Sequence, residues 1–419
     1  MSQGKAPRVL LTDTDRRAYA ARLAVELSRA DCEVSVLCTD GHPVLKVSTL
    51  RRAFPYSGLR PLNSLQAAID ATGPDIIVPC CDRGVQHLHE LHGRIRNQNH
   101  SGSQVAGLIE RSLGMPESFS TVSARYDLLR VAKEQGLRVP PTRLIKTLDD
   151  LEASLSGQPF PWVLKSDGTW GGRGVRVAHT AREAEECLNA MRQPCGLGRA
   201  VKRFFVNRDP FWVRPWWDGT SPPVIMQAYV QGSPANCAVL CWQGKVLAGI
   251  AVEVIRAEGL TGPASVVRVV DNREMMLCAE RIAGRLQLSG FFGLDFVINA
   301  EDGLPYLIEM NPRATPLCHL RLGKGRDMVG ELWAELSGAP KIDRVPVTDN
   351  DMISYFPQAW NGSPELLQSS FQDVPWDEPE LIKALIHSGT ERNFLFRAVN
   401  YLHQLTHAAA PATEHKSSG

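Results

Sequence analysis

The stretch YLIEMNPRATPLCHL, residues 306–320, sets a carboxylate and a carboxamide two positions apart, Glu309 and Asn311, and follows them at once with Pro312-Arg313. Side chains in a strand alternate faces, so positions i and i+2 point the same way. Tyr306, Ile308 and Met310 then form an apolar face, and Pro305, Leu307, Glu309 and Asn311 the other. Upstream, FFGLDFVINAEDG (291–303) gives Phe292, Leu294, Phe296 and Ile298 to one face and Asp295 to the opposite one. Glu301-Asp302-Gly303 fits a three-residue hairpin loop with Gly303 in the left-handed conformation. That register pairs Ala300 with Leu304 and sets Asp295 directly across from Glu309, with Asn311 one step further along. Two carboxylates and an amide oxygen converge there, and like charges repel unless a cation lies between them. An all-oxygen ligand set suits Mg²⁺ or Mn²⁺ rather than zinc. The alternative is a hairpin with a solvated polar face. Arg313 weighs against it, because a guanidinium beside such a site suits a phosphate oxygen.

Two further stretches could handle a nucleotide. In PWVLKSDGTWGGRGVRVA (161–178) a strand ends at Lys165, a loop with Gly168, Gly171, Gly172 and Gly174 follows, and a second strand returns. Glycines let backbone N–H groups approach anionic oxygens, and Lys165 adds a positive charge. The loop is neither a Walker A loop nor a kinase loop, since the chain has no GK[ST], HRD or DFG. Joining two strands, it could fold over a nucleotide as a flap. In VIMQAYVQG (224–232) a strand runs through Gln227, Ala228, Tyr229 and Val230 to Gly232, and such a strand end can offer backbone N–H and C=O groups to an adenine edge.

Taken in order, the lysine-glycine flap, the MQAYVQG hinge and the GLDF…YLIEMNPR hairpin resemble the ATP-grasp superfamily, over roughly residues 115–335. The region before them resembles the lobe preceding ATP-grasp modules in the carbamoyl-phosphate synthetase and biotin carboxylase branches. The resemblance implies that Asp295, Glu309 and Asn311 hold Mg²⁺ bridging the β- and γ-phosphates of ATP, and that Arg313 stabilises the transferred phosphoryl group. It further implies that Lys165 and Arg125 contact the nucleotide, that the Gly168–Gly174 loop closes over the phosphates, and that Gln227, Ala228 and Val230 line the adenine hinge. The family usually places a ribose-binding carboxylate shortly after the hinge glycine. None follows Gly232 here, and Asn236 is the nearest polar substitute. Arg268 is suited to an acceptor carboxylate; Thr315 and His319 are further acceptor-pocket candidates. The activity implied is a carboxylate–amine ligase that forms an acyl phosphate. A phosphotransferase or an ATP-binding regulatory protein would use the same nucleotide site.

Composition bounds the partners. With 419 residues, 43% hydrophobic, the chain can bury a large core. A net charge of +1 gives no reason to expect nucleic acid or an acidic membrane surface. No apolar run approaches a membrane span, and MSQGKAPRVLLTDTD lacks a signal-peptide core. Ten cysteines are scattered without paired CxxC blocks. These features predict a cytoplasmic protein whose partners are a small carboxylate and an amine, with a homodimer as the assembly kept in view. His87, His89 and His92 could suggest zinc, but a helix with solvated imidazoles fits their spacing better. Cys237 and Cys241 read as strand core.

The elements that must position these residues follow from periodicity. VLL (9–11), the amphipathic 15–30, VSVLC (34–38), a helix around 62–73 and DIIVPC (75–80) alternate as βαβ units, without a glycine fingerprint for a dinucleotide. Residues 92–105 read as an exposed loop, and 120–142 as one helix ended by Gly136 before a Pro-Pro stretch. The Trp- and Arg-rich 202–223 reads as packing or substrate wall. The predicted fold class is α/β and α+β: a Rossmann-like parallel-sheet lobe (1–114), an ATP-grasp fold (115–340), a small C-terminal extension (341–407) and a disordered tail (408–419).

Overall fold

The computed structural model describes residues 6–97, 104–155, 159–167, 174–192, 223–257, 262–362 and 364–386. The flap glycines Gly168, Gly171 and Gly172, almost all of the Trp- and Arg-rich stretch, and the expected tail lie outside them.

Near-continuous apolar runs at the start of the chain form strands buried on both faces, as parallel sheets require. β1 (Arg8–Asp13), β2 (Glu33–Cys38), β3 (Arg52–Pro55) and β4 (Ile76–Pro79) make a parallel sheet of order β3-β2-β1-β4. β3, a short and mostly exposed edge strand, has no apolar pattern that would announce it. Helix α1 (Ala18–Arg29) covers one face; α2 (Pro61–Thr72), α3 (Asp82–Asn97) and α4 (Gln104–Leu113) cover the other. Of the expected loop over 92–105, residues 92–97 are instead the last turns of α3 and residues 104–105 the start of α4, and 98–103 lie outside the described residues. Leu91, His92 and Ile95 continue the buried stripe of α3. The three histidines do lie on a helix, but each is engaged by a neighbour and His92 is buried. His87 stacks on Tyr56, His89 stacks on Phe119 at 4.1 Å, and buried His92 bonds Glu110 at 2.8 Å.

The expected single helix over 120–142 breaks at Ala124 into α5 (Phe119–Ser123) and α6 (Arg125–Glu134). Gly136, at φ +71°, closes α6 as expected. A small antiparallel sheet follows, from β5 (Thr142–Ile145), β6 (Trp162–Ser166), β7 (Val175–Ala178) and β8 (Val224–Ala228), in the order β5-β8-β6-β7. With α7 (Leu148–Leu155) and α8 (Ala181–Arg192) it encloses its own core around Leu151, Trp162, Leu164 and Leu188.

The central sheet has seven strands. β9 (Gly232–Trp242), β10 (Lys245–Ala257), β11 (Ala264–Val270), β12 (Gly290–Asn299) and β13 (Pro305–Asn311) are joined by β14 (Met352–Tyr355) and β15 (Phe371–Asp373), in the order β13-β12-β9-β10-β11-β14-β15. A Cβ on Gly232 would meet the Ile298 carbonyl oxygen at 1.9 Å, so only glycine fits where β9 begins against β12. One face of the sheet packs on α6 and α9 (Arg273–Leu286). The other packs on α1 and the parallel lobe. The segment expected as an appended extension supplies β14 and β15 and shares that core, so along its described part it belongs to the sheet.

Candidate functional site

Asp295 of β12 pairs directly with Glu309 of β13, as the hairpin register predicts, and on its other side with Asn236 of β9. The path to that register differs from the expected one. Asn299 and Leu304 close a four-residue loop, Ala300–Gly303, with Gly303 at φ +69°. Near the loop the strands are therefore out of step by one. A bulge restores the pairing, because Phe296 faces Leu307 while Asp295 faces Glu309. The extra residue is Ile308. Its insertion turns Leu307 into the core beside Met310, where simple alternation had put Leu307 on the polar face.

The Ile308 carbonyl accepts a hydrogen bond from Lys165 Nζ at 3.2 Å. Lys165, the penultimate residue of β6, is 5% exposed, and burial pushes its ammonium down to about 8 against the pull of Glu309. The small sheet is thus tied to the hairpin by this lysine and by Arg125, which opens α6. Arg125 reaches Glu309 Oε1 at 2.8 Å, the Ser166 carbonyl at 2.7 Å and Asp167 Oδ1 at 3.3 Å. Burial opposes the charge on Arg125, yet Glu309 and Asp167 outweigh it and raise its pKa.

Asp295 is held by two amides, Asn236 Nδ2 at 2.6 Å and Asn311 Nδ2 at 3.0 Å. Burial first, and then the charge of Glu309, push its carboxyl up to about 6. A divalent cation between the two carboxylates would offset both the burial and their mutual repulsion. Among the described residues no group of three or more His, Cys, Asp or Glu side chains forms a metal cage. The donor set is carboxylate, carboxylate and amide oxygen, which fits a hard ion that shares its shell with phosphates. Asn311 Oδ1 accepts from Arg313 at 2.9 Å and keeps a second lone pair for such an ion.

Arg313, 7% exposed, is fixed on both sides. Its Nε donates to Asp82 Oδ2 at 2.9 Å and one terminal nitrogen to the Tyr19 hydroxyl at 3.2 Å. Tyr19 and Asp82 come from the parallel lobe. Neither carries a local signal, because the partners lie hundreds of residues away in sequence.

Other expected residues fall elsewhere. Asn236, expected near the ribose, lies against Asp295 in the sheet. Arg268 is on β11, three strands from β12 and on the opposite face from Asp295: it shares a row with Glu253 and Ala235, while Asp295 shares one with Asn236 and Val252. Half-exposed, it rests near Asp351 and Met352, so it does not join this site. His319 is buried and bonded to Asp373 of β15 at 2.7 Å, and Thr315 to Cys318. Gln227 is buried, with its amide on Thr142, and the Ala228 N–H is spent on the Pro141 carbonyl, leaving only the Ala228 carbonyl for a ligand. Val230 lies just past β8 with no hydrogen bond of its own among the described residues. Gly174 closes the flap, its carbonyl accepting from the Ser166 N–H.

The sheet, the hairpin row and the lysine facing it define an ATP-grasp architecture. Residues 122–316 match a family model described as an ATP-grasp domain, and the chain carries that domain behind a parallel-sheet lobe. N5-carboxyaminoimidazole synthase from Aspergillus clavatus, in complex with ADP and 5-aminoimidazole ribonucleotide, superposes with a TM-score of 0.56 at 16% identity, covering 80% of this chain and 77% of that one. Biotin carboxylase from Campylobacter jejuni, in a β-γ-ATP complex, gives 0.55 at 14%, covering 80% and 72%. L-amino acid ligase from Bacillus licheniformis gives 0.50 at 13%, covering 80% and 75%. At these identities the likeness is one of fold. No curated protein gives a significant sequence match. No described helix is long and apolar enough to cross a membrane.

Proposed function

We propose that the protein is an ATP-dependent carboxylate–amine ligase working with Mg-ATP on small molecules. The observation that carries this reading is the convergence of Lys165, Arg125 and Arg313 on the row of Asp295, Glu309 and Asn311. Proteins of similar fold have been crystallised with ADP, ATP or MgADP.

In this reading Asp295, Glu309 and Asn311 hold Mg²⁺, which neutralises phosphate charge. Lys165 and Arg125 hold the nucleotide phosphates, and the loop carrying Gly168, Gly171, Gly172 and Gly174 is the candidate for backbone contacts to them. The Ala228 carbonyl and the Val230 backbone face adenine. A substrate carboxylate oxygen attacks the γ-phosphorus, the bond to the β–γ bridging oxygen breaks, and ADP leaves. An amine nitrogen then attacks the acyl carbon of the acyl phosphate, phosphate departs, and the nitrogen loses a proton. Arg313, already oriented by Asp82 and Tyr19, meets the transferred phosphoryl group without reorganising.

Incubation with ATP, Mg²⁺, hydroxylamine and pooled carboxylic acids should yield a hydroxamate. ATP consumption without hydroxamate would point instead to a phosphotransferase. Glu309→Gln should lower turnover at least 10²-fold with the circular dichroism spectrum unchanged. Activity retained in that variant would remove Glu309 from the metal site.

A further inference from the structure

The C-terminal part of the chain carries an aromatic surface that neither the core nor the ATP site uses. After β14 and β15 the described residues end in a helical stretch, 379–386, whose Leu381 and Leu385 are buried in the shared core. Outside that core the Trp360 and Trp376 rings lie 6.3 Å apart, and Trp360 meets Phe356 edge-on at 5.1 Å. Trp376 is 67% exposed and Trp360 40%. Single apolar residues at a surface are ordinary, but two adjacent tryptophans make a patch that calls for a cover. Trp376 stands in the turn between Asp373, paired with Arg22 of α1, and Glu378, bonded to Ser48. The patch therefore lies beside the seam that joins the lobe to the central sheet.

The sequence beyond Ile386 holds a matching face. Residues 387–419 lie outside the described residues. In NFLFRAVNYLHQL (393–405), Phe394, Ala398, Tyr401 and Leu405 recur at spacings of four, three and four, and Leu395, Val399 and Leu402 form the adjoining row. Such spacing makes one apolar face of a helix. Arg397, Asn400, His403 and Gln404 take the other side, with Phe396 as the exception. Asn393 suits the N-cap position, and Pro411 stops a helix beyond. A helix of about twelve residues is marginal in water on its own, so this face needs a surface to fold against.

Reach and charge select the occupant. Trp376 and Ile386 are separated by a short turn and the stretch 379–386, at most about 22 Å. From Ile386 to Phe394 the extended chain spans up to about 28 Å. The segment therefore reaches the patch of its own chain, and so short a tether gives an effective concentration in the millimolar range. A second copy at micromolar concentration competes poorly with that. The carboxylates next to the patch are already paired, Asp377 with Arg29 at 2.5 Å and Glu380 with Lys383 at 2.6 Å. The surface thus offers apolar area rather than free charge. Helices that settle on lipid surfaces are rich in Lys and Arg. Between 394 and 405 only Arg397 is charged.

We propose that residues 394–405 fold as an amphipathic helix across Trp360 and Trp376 of the same chain, a strap over the join between the lobe and the central sheet.

Hydrogen exchange and hydroxyl-radical footprinting of the full chain, both read by mass spectrometry, test this. Amides of 394–405 should exchange about tenfold or more slowly in the wild type than in Trp376→Ala. In the reverse direction, Leu402→Asp should raise the radical oxidation of Trp376 several-fold. Circular dichroism checks that both variants fold, and the footprint of Leu402→Asp decides the matter alone if Trp376→Ala does not. Equal exchange in the wild type and folded Trp376→Ala, or equal Trp376 oxidation in the wild type and Leu402→Asp, would overturn the strap. Protection that appears only as protein concentration rises, with a dimer in sedimentation, would give the patch to a second copy. Protection that requires phosphatidylglycerol vesicles would give the segment to a membrane surface. Either result overturns docking within one chain.

Discussion

Asn236 donates to Asp295 at 2.6 Å and so helps to orient, from the neighbouring strand, the carboxylate proposed to bind Mg²⁺. A partner of this kind commonly matters tenfold or more to metal affinity. Asn236→Ala should therefore raise the Mg²⁺ concentration needed for half-maximal ATP turnover about tenfold, while ADP binding measured in chelator stays unchanged. Weakened ADP binding without metal would return Asn236 to the ribose. Its contact with Asp295 could not be read from the hinge, because the chain runs from Gly232 into a long strand whose partner strand is set only by the fold. Pairing across β9 and β12 was legible only for the hairpin half. Glu309 and Asp295 belong to one local turn, whereas Asn236 and Asp295 are 59 residues apart.

Among the elements, the α3–α5 contact gives a pH-dependent signature. Burial, with His92 close by, pushes His89 down to about 4 where its ring stacks on Phe119. An unfolded histidine titrates near 6.5. Between these values the unfolded chain takes up a proton that the fold refuses, so the contribution of His89 to stability is complete above about pH 6.5 and lost progressively toward pH 4. The melting temperature should fall over that window less steeply in His89→Asn than in the wild type. His92 and Glu110 remain in both proteins, so the difference reports His89; parallel curves would remove the assignment. The apolar stripe made α3 legible as a helix, though its length was cut short where polar Arg94, Arg96 and Asn97 masked the last turns. The hairpin was legible in its central pairing. Its bulge was not, since nothing in PYLIEM marks Ile308 as the extra residue, and the contact with Lys165 exists only in three dimensions.

At the scale of the whole molecule, periodicity separated a lobe, a domain and an extension, but packing does not. Val9, Leu11, Leu23 and Val36 of the parallel lobe share one buried core with Ala238, Leu240 and Ile250 of the central sheet and with Ile353, Tyr355 and Leu381 of the C-terminal part. Polar ties follow the same route. Arg22 of α1 pairs with Asp373 of β15, and Ser48 bonds Glu378 at 2.7 Å. A sequence shows where strands and helices begin, not which face meets which, so contacts more than 300 residues apart leave no trace in it. The expected consequence is that the lobe does not fold as an independent unit. Expressed alone, residues 1–114 would expose α1 on the face that the central sheet now covers, and an apolar face left open drives association rather than folding. That fragment should show no cooperative thermal transition and should self-associate, whereas the full chain melts cooperatively with lobe and sheet together. The small sheet around Leu151 and Trp162 has a core of its own, so it can loosen first without exposing the shared one. Calorimetry of the fragment and of the full chain separates the cases: a sharp, reversible transition in residues 1–114 would show that the shared core is an interface between finished domains.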